Sequence, residues 1–190
     1  VLSSESQINS KKIKLGANYL NDDNFARMID EVGILSEFDI LLSDKTSISI
    51  GEIKKDLIQL RRENPDREII CYIDYLQLII GDKKDSGNRV QEISTISRVL
   101  KSIALTQEMS IVALSQLSRK VEERQDKRPM LSDLRESGAI EQDADNIWML
   151  YRDDYYDSQS EMKGIVECIL GKQREGEVGT VNLAFVKEYG

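Results

Sequence analysis

The stretch "IICYIDYLQLII", residues 69–80, places one aspartate, Asp74, inside a nearly unbroken apolar run. A short continuous run of β-branched and other apolar residues is typical of a strand covered on both faces, and so of a central strand in a mostly parallel α/β sheet. Ligands of such sheets bind outside the carboxyl ends of the strands, and Asp74 sits where we expect this strand to run out. Asp74 is therefore a candidate site residue, although a lone aspartate after a strand more often begins a turn or caps the next element.

The composition is that of a soluble globular protein, with 40% apolar and 32% charged residues and only two Pro. We expect a single domain over residues 1–190, since this length suffices for one sizeable core. No apolar stretch approaches the length of a membrane span, and the N-terminal residues do not resemble a signal peptide. A cytoplasmic protein without a membrane partner is expected.

Several kinds of site are excluded or disfavoured by residue content. The chain has no His, which excludes a His-based catalytic triad and His-ligated zinc. Cys71 and Cys168 both fall in predicted buried strands, where free Cys behaves as a small hydrophobe, so neither a disulfide nor a metal site is expected. The net charge of −8 argues against nonspecific coating of nucleic acid, although it leaves room for a local basic strip. Residues 119–128, with five basic and three acidic side chains, are interpreted as a solvated loop.

Helical periodicity predicts three helices. The first lies in "NDDNFARMIDEVGILSEF", where Asp22 or Asp23 can cap the first turn. The second, in "SIGEIKKDLIQLRREN", stops before Pro65, and the third follows the polar loop "GDKKDSGN". Their apolar residues at helical spacing are Phe25, Met28, Ile29, Val32 and Leu35; Ile53, Leu57 and Leu60; and Val90, Ile93, Ile96, Leu100 and Ile103.

Short apolar runs predict the strands. "FDILLSD" is expected as a strand ending at Asp44, which forms a βαβ unit with the second helix and the strand of Asp74. "MSIVALSQL" is the next buried strand and ends at Ser115 and Gln116, which a right-handed crossover would set beside Asp74. This adjacency favours a site there. The runs "NIWMLYR", "GIVECILGKQ" and "TVNLAFVKE", with the turn "REGEVG", predict an antiparallel edge on the parallel core.

With these residues laid out, the whole chain resembles the C-terminal motor domain of DnaB-type replicative DNA helicases, a branch of the RecA-like ATPases. Four motifs in the family's order carry the resemblance. "IDYLQLI" is similar to the Walker B strand, "VALSQLSR" to the sensor strand, "LSDLRESGAIEQDAD" to the DNA-contacting loop, and "GKQREGEVGTV" to the hairpin with the arginine finger. The resemblance implies a RecA-like, mostly parallel sheet flanked by helices, with the antiparallel edge at the C-terminal end.

The family's phosphate-binding P-loop, G-x-x-x-x-G-K-[ST], does not occur in these 190 residues. The resemblance places that loop, the catalytic glutamate and the family's N-terminal primase-interacting domain upstream of Val1. We therefore expect a fragment of a longer helicase that begins after the P-loop, rather than a degenerate relative. The 190 residues alone are expected to be inactive.

The resemblance also implies catalytic roles. Asp74 would hold the water shell of Mg²⁺, and Gln116 would bond the γ-phosphate of ATP or the attacking water. Lys172 and Arg174, one residue apart on a predicted strand, should point to the same face about 6–7 Å apart. The resemblance implies that they act as an arginine finger in trans, on the ATP of a neighbouring subunit. A finger in trans requires a head-to-tail contact between subunits that closes into a ring. The family forms homohexamers.

In "LRESGAI", Arg135 would bind a DNA phosphate, Ser137 and Gly138 would permit close backbone approach, and Glu136 would act as an orienting acceptor. A short loop without aromatic residues should follow the sugar-phosphate backbone rather than stack bases. On the residues alone, an ordinary turn before a helix capped by Ser137 remains a competing interpretation.

The resemblance implies an ATP-dependent replicative helicase motor that couples hydrolysis at the interfaces of a hexameric ring to travel on single-stranded DNA and duplex unwinding. Its cofactors would be ATP and Mg²⁺. Primase and a helicase loader are further partners implied for the full-length protein. The alternatives are another RecA-like ATPase, such as a recombinase or clock-type protein, and a noncatalytic interaction module built on this fold.

Overall fold

The computed structural model of the chain describes residues 1–45, 47–81, 88–134 and 138–189. Two compact units are distinguished. The first comprises residues 1–43, 152–167 and 182–190, and the second comprises residues 44–151 and 168–181. The candidate site residues that the structure describes, Asp74, Gln116, Gly138, Lys172 and Arg174, belong to the second unit, which also contains the main hydrophobic core.

The helices and strands alternate along the middle of the chain and give an α/β fold. The helices are α1 (Leu2–Glu5), α2 (Ser10–Leu15), α3 (Asp22–Ser36), α4 (Ile50–Glu63), α5 (Arg89–Thr106), α6 (Gly138–Asp143) and α7 (Asp153–Tyr156). The strands are β1 (Ile48–Ser49), β2 (Ile70–Ile73), β3 (Ile79–Ile80), β4 (Ser110–Ala113), β5 (Asn146–Tyr151), β6 (Ile165–Gln173) and β7 (Gly179–Ala184). None of the helices in the described ranges combines the length and the apolar character that a membrane crossing requires.

Helices α4 and α5 form as predicted and build the core of the second unit. Helix α4 begins with a capping box, in which the Ser49 hydroxyl accepts from the backbone N–H of Glu52 and the Glu52 carboxylate accepts from the backbone N–H of Ser49. It ends at Glu63, two residues before Pro65. The buried apolar residues on the two helices are Ile50, Ile53, Leu57, Ile93, Ile96, Leu100 and Ile103. Val90 of the predicted α5 face is exposed.

Two parallel strand pairs flank this core. Strand β2 pairs with β4, with Ile73 opposite Ala113, and β1 pairs with β3, with Ile48 opposite Ile79. The predicted neighbourhood of the Asp74 strand and the Gln116 strand is therefore present. The described strands form three groups, ordered β1-β3, β2-β4 and β5-β6-β7.

The apolar run 69–80 agrees with its prediction in part. The predicted strand does end at Asp74, because β2 stops at Ile73; the rest of the run, however, forms a 3-10 helix over Leu76–Leu78 and a second short strand, β3, that pairs with β1. Strand β2 is not covered on both faces. Cys71 and Ile73 pack on the core, whereas Ile70 and Tyr72 on the opposite face are 55% and 73% exposed, since no described element packs there.

The predicted strand "FDILLSD" is wrong. Residues 38–45 have no regular structure, and Phe38, Ile40, Leu41 and Leu42 are all exposed. The backbone N–H of Ile40 bonds locally to the carbonyl of Phe38, so the segment turns on itself instead of joining a strand ladder. The strand that precedes α4 is β1, a few residues further along the chain.

The predicted strands of the last third are present as β5, β6 and β7. The backbone N–H of Arg174, just after the end of β6, donates to the carbonyl of Asp145, just before the start of β5. The end of one strand therefore lies beside the start of the other, as in an antiparallel pair. Along β5, buried and exposed residues alternate, which is the pattern of a strand with one covered face.

Helix α3 also forms, but its cap and its burial differ from the prediction. Its first turn is capped by the Asn21 side chain, which accepts from the backbone N–H of Asn24, rather than by Asp22 or Asp23. Within the first unit, the apolar residues Phe25, Ile29 and Val32 keep much of their surface exposed.

Residues 119–128 are more ordered than the solvated loop that was expected. A 3-10 helix spans Arg119–Glu123 and buries Val121. Arg124 makes two bonds of 2.9 and 2.7 Å to the carboxylate of Asp133, which is only 5% exposed. A buried carboxylate needs such a partner, because an unpaired charge loses its hydration without compensation.

Candidate active site

Asp74 and Gln116 follow the carboxyl ends of two paired parallel strands. Both residues are exposed. The strand ends are joined by bonds of 2.9 Å from the Leu114 N–H to the Ile73 carbonyl and from the Leu76 N–H to the Leu114 carbonyl. The edge where they lie is the place where α/β sheets bind ligands.

A residue that the sequence analysis missed, Gln77, connects these two strand ends. Its Nε2 donates to the Ser115 hydroxyl at 3.1 Å, and its Oε1 accepts from the backbone N–H of Gln116 at 3.2 Å. The only sequence signal for this role is a polar amide within the apolar run 69–80.

On its other side, the turn that follows β2 is anchored to α5. Arg89 donates to the Gln77 carbonyl at 2.7 Å and also binds the Glu92 carboxylate. Glu92 accepts from the Gly81 N–H at 2.7 Å. This backbone hydrogen bond, followed by the bond from Arg89, lowers the pKa of the Glu92 carboxyl below its usual value.

Lys172 lies near the end of β6 and caps α6. Its Nζ donates to the backbone carbonyls of Glu141 at 2.6 Å, Gln142 at 3.3 Å and Ala144 at 2.7 Å. The last carbonyls of a helix have no partner within the helix, and a lysine ammonium there also interacts favourably with the helix dipole.

Arg174 lies one residue beyond β6 and pairs with Asp145. The distance from Arg174 Nη1 to Asp145 Oδ1 is 2.9 Å, and Lys101 on α5 binds the other carboxylate oxygen. The pKa of Asp145 lies below its usual value, mainly because of the hydrogen bond from Lys101. The positive charges of Lys101 and Arg174 lower this pKa further. About half of the Arg174 side chain, 52%, remains exposed.

The predicted catalytic residues thus form two pairs. Asp74 and Gln116 sit at the ends of β2 and β4, whereas Lys172 and Arg174 both contact the connection between α6 and β5. Among the described residues, no hydrogen bond or ion pair joins the first pair to the second. Only Lys172 of this second pair lies within β6, since Arg174 follows its last residue, and the shared face with a spacing of about 6–7 Å stays a prediction.

Of the predicted DNA-contacting residues, Arg135, Glu136 and Ser137 lie outside the described residues. Gly138 is the first residue of α6, and a Cβ added there would meet nothing within 4 Å. Helix α6 is held to α5 by buried Ile140 and by the Ser97 hydroxyl, which donates to Asp143 at 2.8 Å.

For a metal ion, the described part of the chain contains no cluster of three or more Cys, Asp or Glu side chains that could hold one. Asp74 offers one exposed carboxylate. Mg²⁺ usually keeps several waters and takes one or two carboxylates together with substrate phosphates, so Asp74 fits this requirement only in the presence of a nucleotide.

The whole chain, residues 1–190, matches the family of the DnaB-like helicase C-terminal domain. It is 50% identical over 189 residues to the replicative DNA helicase DnaC of Bacillus subtilis and 49% identical over 189 residues to the replicative DNA helicase DnaB of Geobacillus stearothermophilus. Each alignment covers 100% of this chain but only 41% of the relative.

Two solved structures share this fold closely. One is an ATPase domain that superposes with a TM-score of 0.94 at 48% identity, over 99% of this chain and 66% of that chain. The other, a DnaB-like replicative helicase described together with its interactions with primase, superposes with a TM-score of 0.93 at 49% identity, over 99% of this chain and 46% of that chain. The RecA-like α/β fold is thereby confirmed, and the chain belongs to the DnaB-like helicase C-terminal domain family.

Proposed function

We propose that this chain is part of an ATP-dependent replicative DNA helicase motor, in which ATP hydrolysis drives travel on single-stranded DNA and unwinding of the duplex. The observation that carries the proposal is the parallel pair β2–β4, whose carboxyl ends are followed by exposed Asp74 and by exposed Gln116. Over the full length of this chain, which corresponds to 41% of the relative, the sequence is 50% identical to a replicative DNA helicase.

The chemistry of ATP hydrolysis suits these residues. Phosphoryl transfer needs charge neutralisation and positioning rather than covalent help from the protein. The Asp74 carboxylate would hold Mg²⁺ through its water shell, and Mg²⁺ would neutralise charge on the phosphates. The Gln116 amide, on the adjacent strand end, would orient the attacking water or bond the γ-phosphate.

Lys172 and Arg174 are proposed to act on the ATP of a neighbouring subunit. No described contact brings them to Asp74, and a residue that serves a site in trans requires a head-to-tail ring, proposed here as a homohexamer. Arg174 is the better placed of the two, because its ion pair with Asp145 is half exposed and such pairs contribute little free energy. Lys172 would first have to leave the three carbonyls at the end of α6.

Residues 135–138 are proposed to follow the DNA backbone. Arg135 would bind a phosphate, Glu136 would orient the loop, and Ser137 and Gly138 would allow close approach of the main chain. Gly138 starts a helix that is fixed to the core, which would give the loop a rigid base.

The proposed partners of the full-length protein are single-stranded DNA, primase and a loader, in the cytoplasm. Primase is supported by a solved structure that is 49% identical to this chain and is described with its primase interactions. Here the full-length protein means the protein encoded by the whole reading frame that contains these 190 residues.

Unwinding by the full-length protein tests the function. Wild type should separate a forked DNA duplex only with ATP and Mg²⁺, and Asp74→Asn should lose both ATPase and unwinding while keeping its fold, since the amide is nearly isosteric but lacks the charge that attracts Mg²⁺. Normal unwinding by a folded Asp74→Asn protein would contradict the role of Asp74. A wild-type protein that hydrolyses no ATP in the presence of DNA would contradict the proposed function itself.

A further inference from the structure

We propose that Gln77 is a positioning residue for ATP hydrolysis, whose side-chain amide holds Gln116 in register with Asp74. The inference rests on the proposed function, because it concerns how the two strand ends of the ATPase site are kept in place. Gln77 does not touch the reacting atoms in this proposal and acts through Gln116.

The strand ladder stops short of the residues that it has to position. Strand β2 ends at Ile73 and β4 ends at Ala113, so Asp74 and Gln116 both lie beyond the regular register. Past that point the Leu76 N–H still bonds the Leu114 carbonyl, and the Gln77 side chain adds two further bonds to the segment after β4. This side chain spans to Ser115 and Gln116, which are 38 and 39 residues away in the sequence.

An amide suits this position because it donates and accepts at once. Gln77 Nε2 donates to the Ser115 hydroxyl, and Gln77 Oε1 accepts from the Gln116 N–H. Removing the side-chain amide would therefore free the backbone at Gln116 itself and not merely a neighbouring side chain. Gln77 and Ser115 are both partly buried, which shields their bond from competing water.

The backbone of Gln77 is fixed as well. Its carbonyl accepts from Arg89 at 2.7 Å, and Arg89 is held in turn by Glu92. The residue lies in the 3-10 helix Leu76–Leu78, which the Leu76 N–H ties to the Leu114 carbonyl. Because these bonds hold the turn in place, the Gln77 side chain can keep Ser115 and Gln116 in a defined position.

This arrangement predicts a specific kinetic result. A residue that aligns the group acting on the γ-phosphate should affect turnover more than ATP binding. Its effect should also disappear when Gln116 has been removed, since residues that act through one group do not add. A residue that only stabilised the fold would lower activity equally in both backgrounds.

The test uses the full-length protein with the variants Gln77→Met, Gln116→Ala and the double variant. DNA-stimulated ATPase is measured over a range of ATP concentrations, and the melting temperature is measured for each variant. Gln77→Met should lower kcat about tenfold, equivalent to about 1.4 kcal/mol in activation free energy, with KM for ATP changed by less than about twofold. Gln116→Ala should lower kcat further, and adding Gln77→Met to it should change kcat by less than about twofold.

Gln59→Met is the matched control. Gln59 is exposed on α4, where its amide bonds only Glu63 among the described residues, so the same chemical change there should leave kcat at the wild-type value. If Gln77→Met does not fold, Ser115→Ala removes the acceptor of the Gln77 Nε2 bond and should lower kcat by about threefold at unchanged KM.

An active wild type in which Gln77→Met leaves kcat unchanged would overturn the positioning role and leave the proposed function standing. An equal loss in the wild-type and Gln116→Ala backgrounds would overturn it too, because Gln77 would then act independently of Gln116. A Gln116→Ala protein with full ATPase activity would also overturn the positioning role, because Gln116 would then take no part in hydrolysis. Absence of ATPase from wild type would instead refute the proposed function on which the inference rests.

Discussion

Arg174 is joined to Asp145 twice, once by its side chain and once by its backbone. The guanidinium lies 2.9 Å from the carboxylate, and the Arg174 N–H donates to the Asp145 carbonyl at 3.0 Å. The backbone bond fixes where β6 ends against β5, whereas the half-exposed ion pair leaves the guanidinium able to exchange partners. The residue proposed to reach a neighbouring subunit is therefore fixed at its main chain, and its guanidinium is held by a half-exposed ion pair.

The first prediction concerns pH and Asp145. Its pKa is lower in the folded protein than the usual value, mainly because of the bond from Lys101. A lowered folded pKa stabilises the fold above the unfolded pKa of about 3.9, and this contribution is lost as pH falls through the folded pKa. Asp145→Asn should thus lower the free energy of unfolding at pH 7 by no more than about 1 kcal/mol, given the solvent exposure of the pair.

Chemical unfolding of the full-length wild type and Asp145→Asn between pH 7 and pH 3 measures this. The difference in the free energy of unfolding should be constant near neutral pH and shrink toward zero below about pH 4. Asp30→Asn, an exposed aspartate on α3, serves as the control. A difference between wild type and Asp145→Asn that grew as the pH fell would contradict the assignment.

The second prediction concerns the 190 residues on their own. They contain no G-x-x-x-x-G-K-[ST] phosphate cradle, so the purified chain should neither bind ATP tightly nor hydrolyse it. Equilibrium binding of a fluorescent ATP analogue and a phosphate-release assay check both points, with the full-length protein as the positive control. The contrary result is saturable, magnesium-dependent hydrolysis of ATP by the 190 residues, in a reaction that Asp74→Asn abolishes. That result would contradict the prediction, because a complete site would then exist without the phosphate cradle.

Helical periodicity predicted α4 and α5 well because their apolar residues recur at the spacing that buries one helix face, and Ile53, Ile96 and Ile103 are indeed buried. Apolar content alone was a poorer guide to strands. Leu41 and Leu42 lie in an apolar run yet are exposed, because a strand also requires a partner for its backbone, which residue content does not specify.

The candidate site was partly predictable for a related reason. Asp74 and Gln116 follow apolar runs, parallel sheets bind ligands at the carboxyl ends of their strands, and β2 does pair with β4. The contacts of Lys172 and Gln77 were not predictable. Each depends on carbonyl or amide groups about 30 to 40 residues away in the sequence, and no local pattern encodes such a distance.

The third prediction concerns Arg135 and DNA. In the full-length protein, Arg135→Ala should weaken binding of single-stranded DNA by a similar factor on every sequence and reduce the salt dependence by about one counterion, because a phosphate contact carries no base information. Fluorescence anisotropy at several salt concentrations with oligo-dT and mixed-sequence strands measures this. ATPase without DNA should change much less.

Lys120→Ala is a suitable control, since it removes a basic side chain from the ordered segment 119–128. Loss of affinity on one base composition and not on another would mean that Arg135 reads bases, and the proposed backbone contact would be wrong.

The fourth prediction addresses the central claim, that Asp74 and Arg174 act on the same ATP from neighbouring subunits. A finger supplied in trans is worth about 10³–10⁵ in rate among phosphoryl-transfer enzymes that use one. Full-length Arg174→Ala and full-length Asp74→Asn should therefore each assemble and be nearly inactive. In mixed rings, some interfaces would pair an intact Asp74 with an intact Arg174 donated by the next subunit.

The most direct measurement is the ATPase rate after mixing Arg174→Ala with Asp74→Asn, with native mass spectrometry to establish that mixed rings form. A mixture of Asp74→Asn with the Asp74→Asn/Arg174→Ala double variant is the control, since it contains no intact Asp74. Partial activity should reappear from the two inactive parents and stay absent from the control. Mixed rings that form but remain inactive would contradict the claim, because Arg174 would then act within its own subunit or not at all.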